Sequence, residues 1–179
     1  MYLLTIFSPI IGLFVTSFFC IILNTLISVF VVYFSIGQSL IFSSFLILEV
    51  IYLNSFCLID VGTWVQLGEL RIHWVFFFDK LSTLFLFLII FISFLVHVFA
   101  LDYLNDDPHL YRFLVLLSLF TVFMELLVTS GNLLQFFLGW EGVGLMSYLL
   151  INFWFTRYSA ANSGLMAIIY NRIGDSVFY

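Results

Sequence analysis

The chain has 179 residues, 64% hydrophobic and 8% charged, with a formal net charge of -5 and a mean hydropathy of +1.24. Soluble domains carry about a quarter charged residues, so a water-soluble fold is excluded. The five basic residues are scattered, which leaves no stripe for nucleic acid. The remaining class is an all-α, polytopic transmembrane bundle of about six helices.

Cys20 and Cys57 lie in apolar runs without a second thiol or histidine at ligand spacing, and read as small buried hydrophobes. Met1-Tyr2-Leu3-Leu4 lacks the basic region and cleavage site of a signal peptide, and the arginines of a mitochondrial presequence. Insertion is therefore expected from the first helix itself. The 25 Phe and 9 Tyr fit codon bias in an AT-rich genome such as an organelle's, or simply lipid-facing tolerance of large apolar residues.

Residues 1–59 contain a single charge, Glu49, and are about twice the length of one bilayer crossing, so they form a helical hairpin. Its turn falls at Asn24-Thr25 or at Ser35-Ile36-Gly37-Gln38, and hydropathy does not choose between these uncharged breakers. Residues 60–75 mix Val61, Trp64, Val65 and Leu67 with Gly62, Gly68, Glu69, Arg71 and His73. That pattern describes a membrane-surface segment or short hairpin, with Trp64 and Trp74 at headgroup depth. Residues 76–109 hold a third helix, Phe76 to Leu101, entered through Asp79-Lys80, and a polar loop stopped by Pro108.

Residues 110–179 complete the chain. A fourth helix spans Leu110 to Ser130, Gly131-Asn132 form a tight turn, and a fifth helix covers Leu133 to Phe155. A sixth starts near Ala160 and is expected to be still running at Tyr179, as though its continuation lay elsewhere. Arg112 and Arg157 lie on one side of the membrane, Arg71 and Lys80 on the other, so charge alone does not orient the chain.

An ionisable group at bilayer depth is costly and is by default a functional candidate. Glu49, near the end of the second helix, reads as a snorkelling anchor. His97 reads as a hydrogen-bonded core residue that can also relay protons. Glu141 is the strongest candidate: Gly139, Gly142 and Gly144 strip side chains from the helix around one carboxylate. A helix-packing face would explain the glycines but not the carboxylate. Arg172 and Asp175 are spaced i,i+3 on the next helix. Glu141 and Asp175 are each about 17 residues from the turn near Tyr158, hence at similar depth. A movable cation beside a sheltered carboxylate alternately releases and restores its proton, which a pump needs and a scaffold does not.

The run from Phe136 through Gly139-Trp140-Glu141-Gly142-Val143-Gly144-Leu145-Met146-Ser147 to Arg157 closely resembles the subunit 5 family of mitochondrial NADH:ubiquinone oxidoreductase, respiratory complex I. The resemblance extends to Asp107-Pro108-His109, Arg112-Phe113, Leu117 to Thr121, Asn171-Arg172-Ile173-Gly174-Asp175, and Met1 to Leu4 with Pro9. It implies the N-terminal part of an antiporter-like, proton-translocating subunit in the mitochondrial inner membrane, organelle-encoded, among other membrane-arm subunits of the complex. Glu141 then matches the family's membrane glutamate, with Arg172 and Asp175 on the next helix. The resemblance also favours the turn at Asn24-Thr25. It places residues 60–74 on the intermembrane-space side and the Arg112 and Arg157 loops on the matrix side.

There are two departures. The family continues into a broken helix bearing the lysine that pairs with the glutamate, then a second inverted repeat. Lys80, the only lysine here, stands at a helix entrance and cannot replace it. The expectation is a split subunit, with a second chain supplying the remainder. Glu125 occupies a position the family fills with an apolar residue, and Gly131 replaces an acidic one; Glu125 is either an extra proton site or a partner for the missing chain.

No glycine-rich nucleotide turn or cysteine cluster is visible, so NADH, FMN, iron–sulfur clusters and ubiquinone are expected in other subunits. Two alternatives stand beside the proton path: a structural scaffold of the membrane arm without a path of its own, and a cation/proton antiporter subunit.

Overall fold

A computed structural model describes residues 1–19, 25–104 and 107–176. Its elements are α1 (Tyr2–Phe19), α2 (Thr25–Leu53), β1 (Cys57–Leu67), β2 (Leu70–Phe78), α3 (Lys80–Tyr103), α4 (Leu110–Val128), α5 (Leu133–Ile151) and α6 (Tyr158–Asp175). Four helices, α2 to α5, are long and apolar enough to cross a membrane; α1 is apolar but shorter. The architecture is a polytopic helical bundle carrying one β-hairpin.

Helices α1 to α4 close on one another, with α1 against α2 and α4, and α3 between α2 and α4. Then α5 packs on α4, and α6 on α5. Small polar residues allow the close approach of α1 and α2. A side chain at Gly12 would overlap Ser35, and Ser39 Oγ donates to Thr5 O at 2.6 Å. Tyr111 donates across the bundle to Thr16 O, and Tyr33 to His97 O.

The Ser35 to Gln38 stretch lies inside α2 rather than in a turn. Ser35 Oγ donates to Val32 O at 2.8 Å, which satisfies the hydroxyl within the helix. Of the alternative turn at Asn24-Thr25, Thr25 opens α2 and Asn24 lies outside the described residues, as do Cys20, Asp106 and Tyr179. The last described turn ends α6 at Asp175, with Ser176 as its cap.

The surface segment is a hairpin longer than the sequence suggested, reaching from Cys57 to Phe78. Gly68, with φ of +59°, makes its turn, and the register shifts between Asp60 and Gly62, where Gly62 has φ of +141°. Phe76 to Phe78 therefore belong to β2, not to the third helix. That helix starts at Lys80 because Asp79 caps it: Asp79 and Ser82 form a reciprocal capping box. Phe76 and Phe78 instead turn into a core with Ile6, Leu86 and Ile90.

The hairpin is also stitched to the corner between α4 and α5. Phe77 N–H donates to Thr129 O, and Gly131 N–H to Val75 O, both at 2.9 Å. Asn132 Nδ2 donates to His73 O at 2.6 Å, and Val75 N–H to Gln135 Oε1 at 3.2 Å. A Cβ at Gly131 would stand 3.0 Å from Val75 O, so this strand contact requires glycine. At the other end, α5 stops at Ile151 rather than Phe155, where Phe153 turns beneath the Arg112 guanidinium at 5.7 Å.

Candidate functional site

The α5 motif divides its glycines between two neighbours. A Cβ at Gly139 would come within 2.8 Å of Leu127 Cα, and one at Gly142 within 2.2 Å of the Phe123 ring, so both face α4. Gly144 faces α6, where Asn171 Nδ2 occupies the space a side chain would need. The expectation that all three open the helix around Glu141 is corrected in this respect: two of them seat α5 on α4. At 100° per residue, Glu141 is turned about 200° from Gly139, away from α4.

Glu141 meets α6 instead. Arg172 Nη1 donates to Glu141 Oε1 at 2.7 Å and stands 3.7 Å from Asp175 Oδ2. The equal depth inferred by counting from the turn is thus realised as a contact. Asp175 accepts a further bond from Trp140 Nε1–H at 3.0 Å. The motif by itself gives Trp140 no role. An indole in the middle of an apolar helix needs a partner for its N–H, and that requirement was the available signal.

Accessibility separates the three charges. The side chain of Asp175 is 6% exposed, that of Glu141 32%, and that of Arg172 62%. The trio borders a recess of about 100 Å³ lined also by Gly144, Asn171 and Ile168. One guanidinium therefore serves two carboxylates on an open face.

The two other candidates are elsewhere. His97 is completely buried in α3, and Glu125, 1% exposed, lies in α4. Phe123 and Leu127, the α4 residues under the α5 glycines, are each two positions from Glu125, hence about 200° around the helix from it. The structure thus puts Glu125 and Glu141 on opposite sides of α4. Glu49 stands near the end of α2, half-buried, beside the Tyr2 side chain. Cys57 is a half-buried free thiol at the start of β1. Among the described residues, no group of three His, Cys, Asp or Glu side chains is placed to hold a metal.

Residues 64–114 match the family described as NADH-Ubiquinone oxidoreductase (complex I), chain 5 N-terminus. Residues 130–179 match that described as NADH:quinone oxidoreductase/Mrp antiporter, TM. NADH-ubiquinone oxidoreductase chain 5 of Acanthamoeba castellanii is 48% identical over 100% of this chain and 26% of the relative. The chain 5 proteins of Dictyostelium discoideum and Chondrus crispus are each 43% identical over 98% of this chain, again 26% of their own length. The chain spans about a quarter of the length of these relatives. With both family regions in sequence order and identity sustained from end to end, the chain belongs to the NADH-ubiquinone oxidoreductase chain 5 family.

Proposed function

We propose that this chain is the N-terminal portion of a proton-translocating membrane-arm subunit of respiratory NADH:ubiquinone oxidoreductase. It works in the mitochondrial inner membrane from an organellar gene, and couples quinone reduction in other subunits to proton movement. The observation that carries this reading is the single guanidinium of Arg172 shared between Glu141 and Asp175.

Shelter from water costs the ionised form of a carboxylate, and a nearby cation offsets that cost. While Arg172 lies against Glu141, the carboxylate is compensated and stays ionised. When the guanidinium leans to Asp175, Glu141 loses its counter-charge and takes up a proton; its return expels that proton. The move is short, because both carboxylates already lie within 4 Å of the same nitrogen. Trp140 holds Asp175 in place as the alternative partner.

Charges this open beside an apolar helix call for a covering surface. Further helices of the subunit and other membrane-arm subunits fill that role, bringing a cation that draws Glu141 away from Arg172. NADH, FMN, iron–sulfur clusters and ubiquinone belong to other subunits; this chain supplies the proton-holding groups.

The test is Glu141→Gln in the assembled complex, reading protons moved per electron. The expected result is reduced pumping with NADH oxidation and assembly retained. Unchanged pumping in an assembled variant refutes the proposal. The seating of Gly139 and Gly142 against α4 favours a second reading, a packing scaffold. That reading requires Arg172→Gln to disturb assembly and leave the pumping of whatever assembles unchanged.

A further inference from the structure

The closed α1 to α4 bundle contains its own ionisable pair. His97 Nδ1 lies 2.8 Å from Ser93 O, and a carbonyl only accepts, so Nδ1 carries a hydrogen. Nε2 lies 3.2 Å from Ser118 Oγ, which is also 2.8 Å from Leu114 O. The serine has one hydrogen for two acceptors. With Nε2 unprotonated, that hydrogen turns to the ring; with Nε2 protonated, the ring donates to Oγ and the hydroxyl returns to Leu114 O. One hydroxyl rotation therefore lets His97 gain or lose a proton without moving a heavy atom.

On the same buried face of α4, Thr121 and Glu125 follow Ser118 at i+3 and i+7. Glu125 Oε2 has no hydrogen-bond partner among the described residues. Thr121 Oγ1 donates to Ser118 O at 2.7 Å, which leaves its lone pairs open. Thr121 and Ser93 both border a cavity of about 160 Å³ between α3 and α4. Its remaining lining is aliphatic, aromatic or thioether, so Ser93 and Thr121 are its polar side chains.

We infer that His97 and Glu125 form a second proton-holding pair on the side of α4 opposite Glu141, joined along one face of that helix through the Ser118 and Thr121 hydroxyls. This rests on the proposed proton translocation but on none of its residues. In the transfer, the Glu125 carboxyl gives up one proton and becomes carboxylate. Each hydroxyl accepts one proton and passes one on, and His97 Nε2 receives one to become imidazolium. Tyr33 of α2 is the other titratable group at this level, with its ring edge on His97 at 6.3 Å and its hydroxyl donating to His97 O. The remaining ionisable groups of the packed helices stand near helix ends: Tyr2 in α1, Glu49 and Tyr52 in α2, Lys80, Asp102 and Tyr103 in α3, Tyr111 and Arg112 in α4.

The test compares Glu125→Gln, His97→Gln and the double variant with Glu141→Gln in the assembled complex in liposomes, reading protons moved per electron. The expected result is a loss in each single variant and no further loss in the double. Should either variant fail to assemble, Ser118→Ala, which removes one hydroxyl, carries the test and is expected to show the same loss. Full pumping in the assembled variants overturns the inference while a loss in Glu141→Gln leaves the proposed function standing. Full pumping in all of them removes both. A loss with Glu125→Gln that deepens in the double variant overturns the pairing.

Discussion

Two groups of charges in one chain sit in opposite surroundings. The α1 to α4 bundle seals His97 and Glu125 among hydroxyls, whereas the α5 and α6 pair leaves Arg172 open on its outer face. A sealed carboxylate has to find its partner within its own bundle or go without. An open trio has charges already balanced in part and a side free for another surface. Packing alone produces the difference: α4 has neighbours on both faces, and α6 has α5.

Breaking the seat of α5 gives the largest expected effect. Gly139→Val would push its side chain into the Leu127 backbone, costing about 3 kcal/mol as overpacking does. Loss of folded protein in a detergent melt checks it. Arg172→Leu comes next, at about 2 kcal/mol. That is below the ~3–5 kcal/mol of a fully buried broken pair, because Arg172 is largely exposed and solvent screens it. The same melt reads it.

Trp140→Phe retains the ring and removes the N–H to Asp175, an expected loss of about 1 kcal/mol. A melt of the double variant with Asp175→Asn shows whether the two residues are coupled. The sealed side reverses the sign: Glu125→Leu replaces an unpaired buried carboxylate and stabilises the fold by about 1 kcal/mol, read as a higher melting temperature. A drop would mean that the carboxylate has a partner. The smallest effect belongs to the hairpin, where Asp60 and His73 meet at 2.8 Å but are half exposed. Asp60→Asn should cost less than about 1 kcal/mol and lose even that at high salt.

The helices were legible because an apolar chain in lipid has to satisfy its backbone within each segment. Their ends were less so. Ser35 to Gln38 looked like a turn, yet serine hydroxyls bond back to carbonyls three residues earlier, and polarity then ceases to mark a break. Phe76 to Phe78 looked like helix because an apolar run has no readable period; the Asp79 and Ser82 capping box was the better signal. At the candidate site, counting from the turn near Tyr158 brought Glu141 to the level of Asp175. Spacing could not say which neighbour each glycine faced, since that depends on how α5 is rotated between α4 and α6. Nor could it say that Gly131, read as a lost acidic residue, is the place where a strand touches a helix corner.

That strand contact bears on how the chain reaches its membrane topology. The hairpin is complete by residue 78, while the segment 129–131 that pairs with it is made only after α3 and α4. Two crossings return the chain to the side from which it left; one crossing leaves it on the wrong side. Closure of Val75 and Phe77 onto Gly131 and Thr129 is therefore possible only for a chain that has crossed an even number of times between them. The hairpin acts as a parity check on insertion, completed as the α4–α5 corner arrives and before α6 follows.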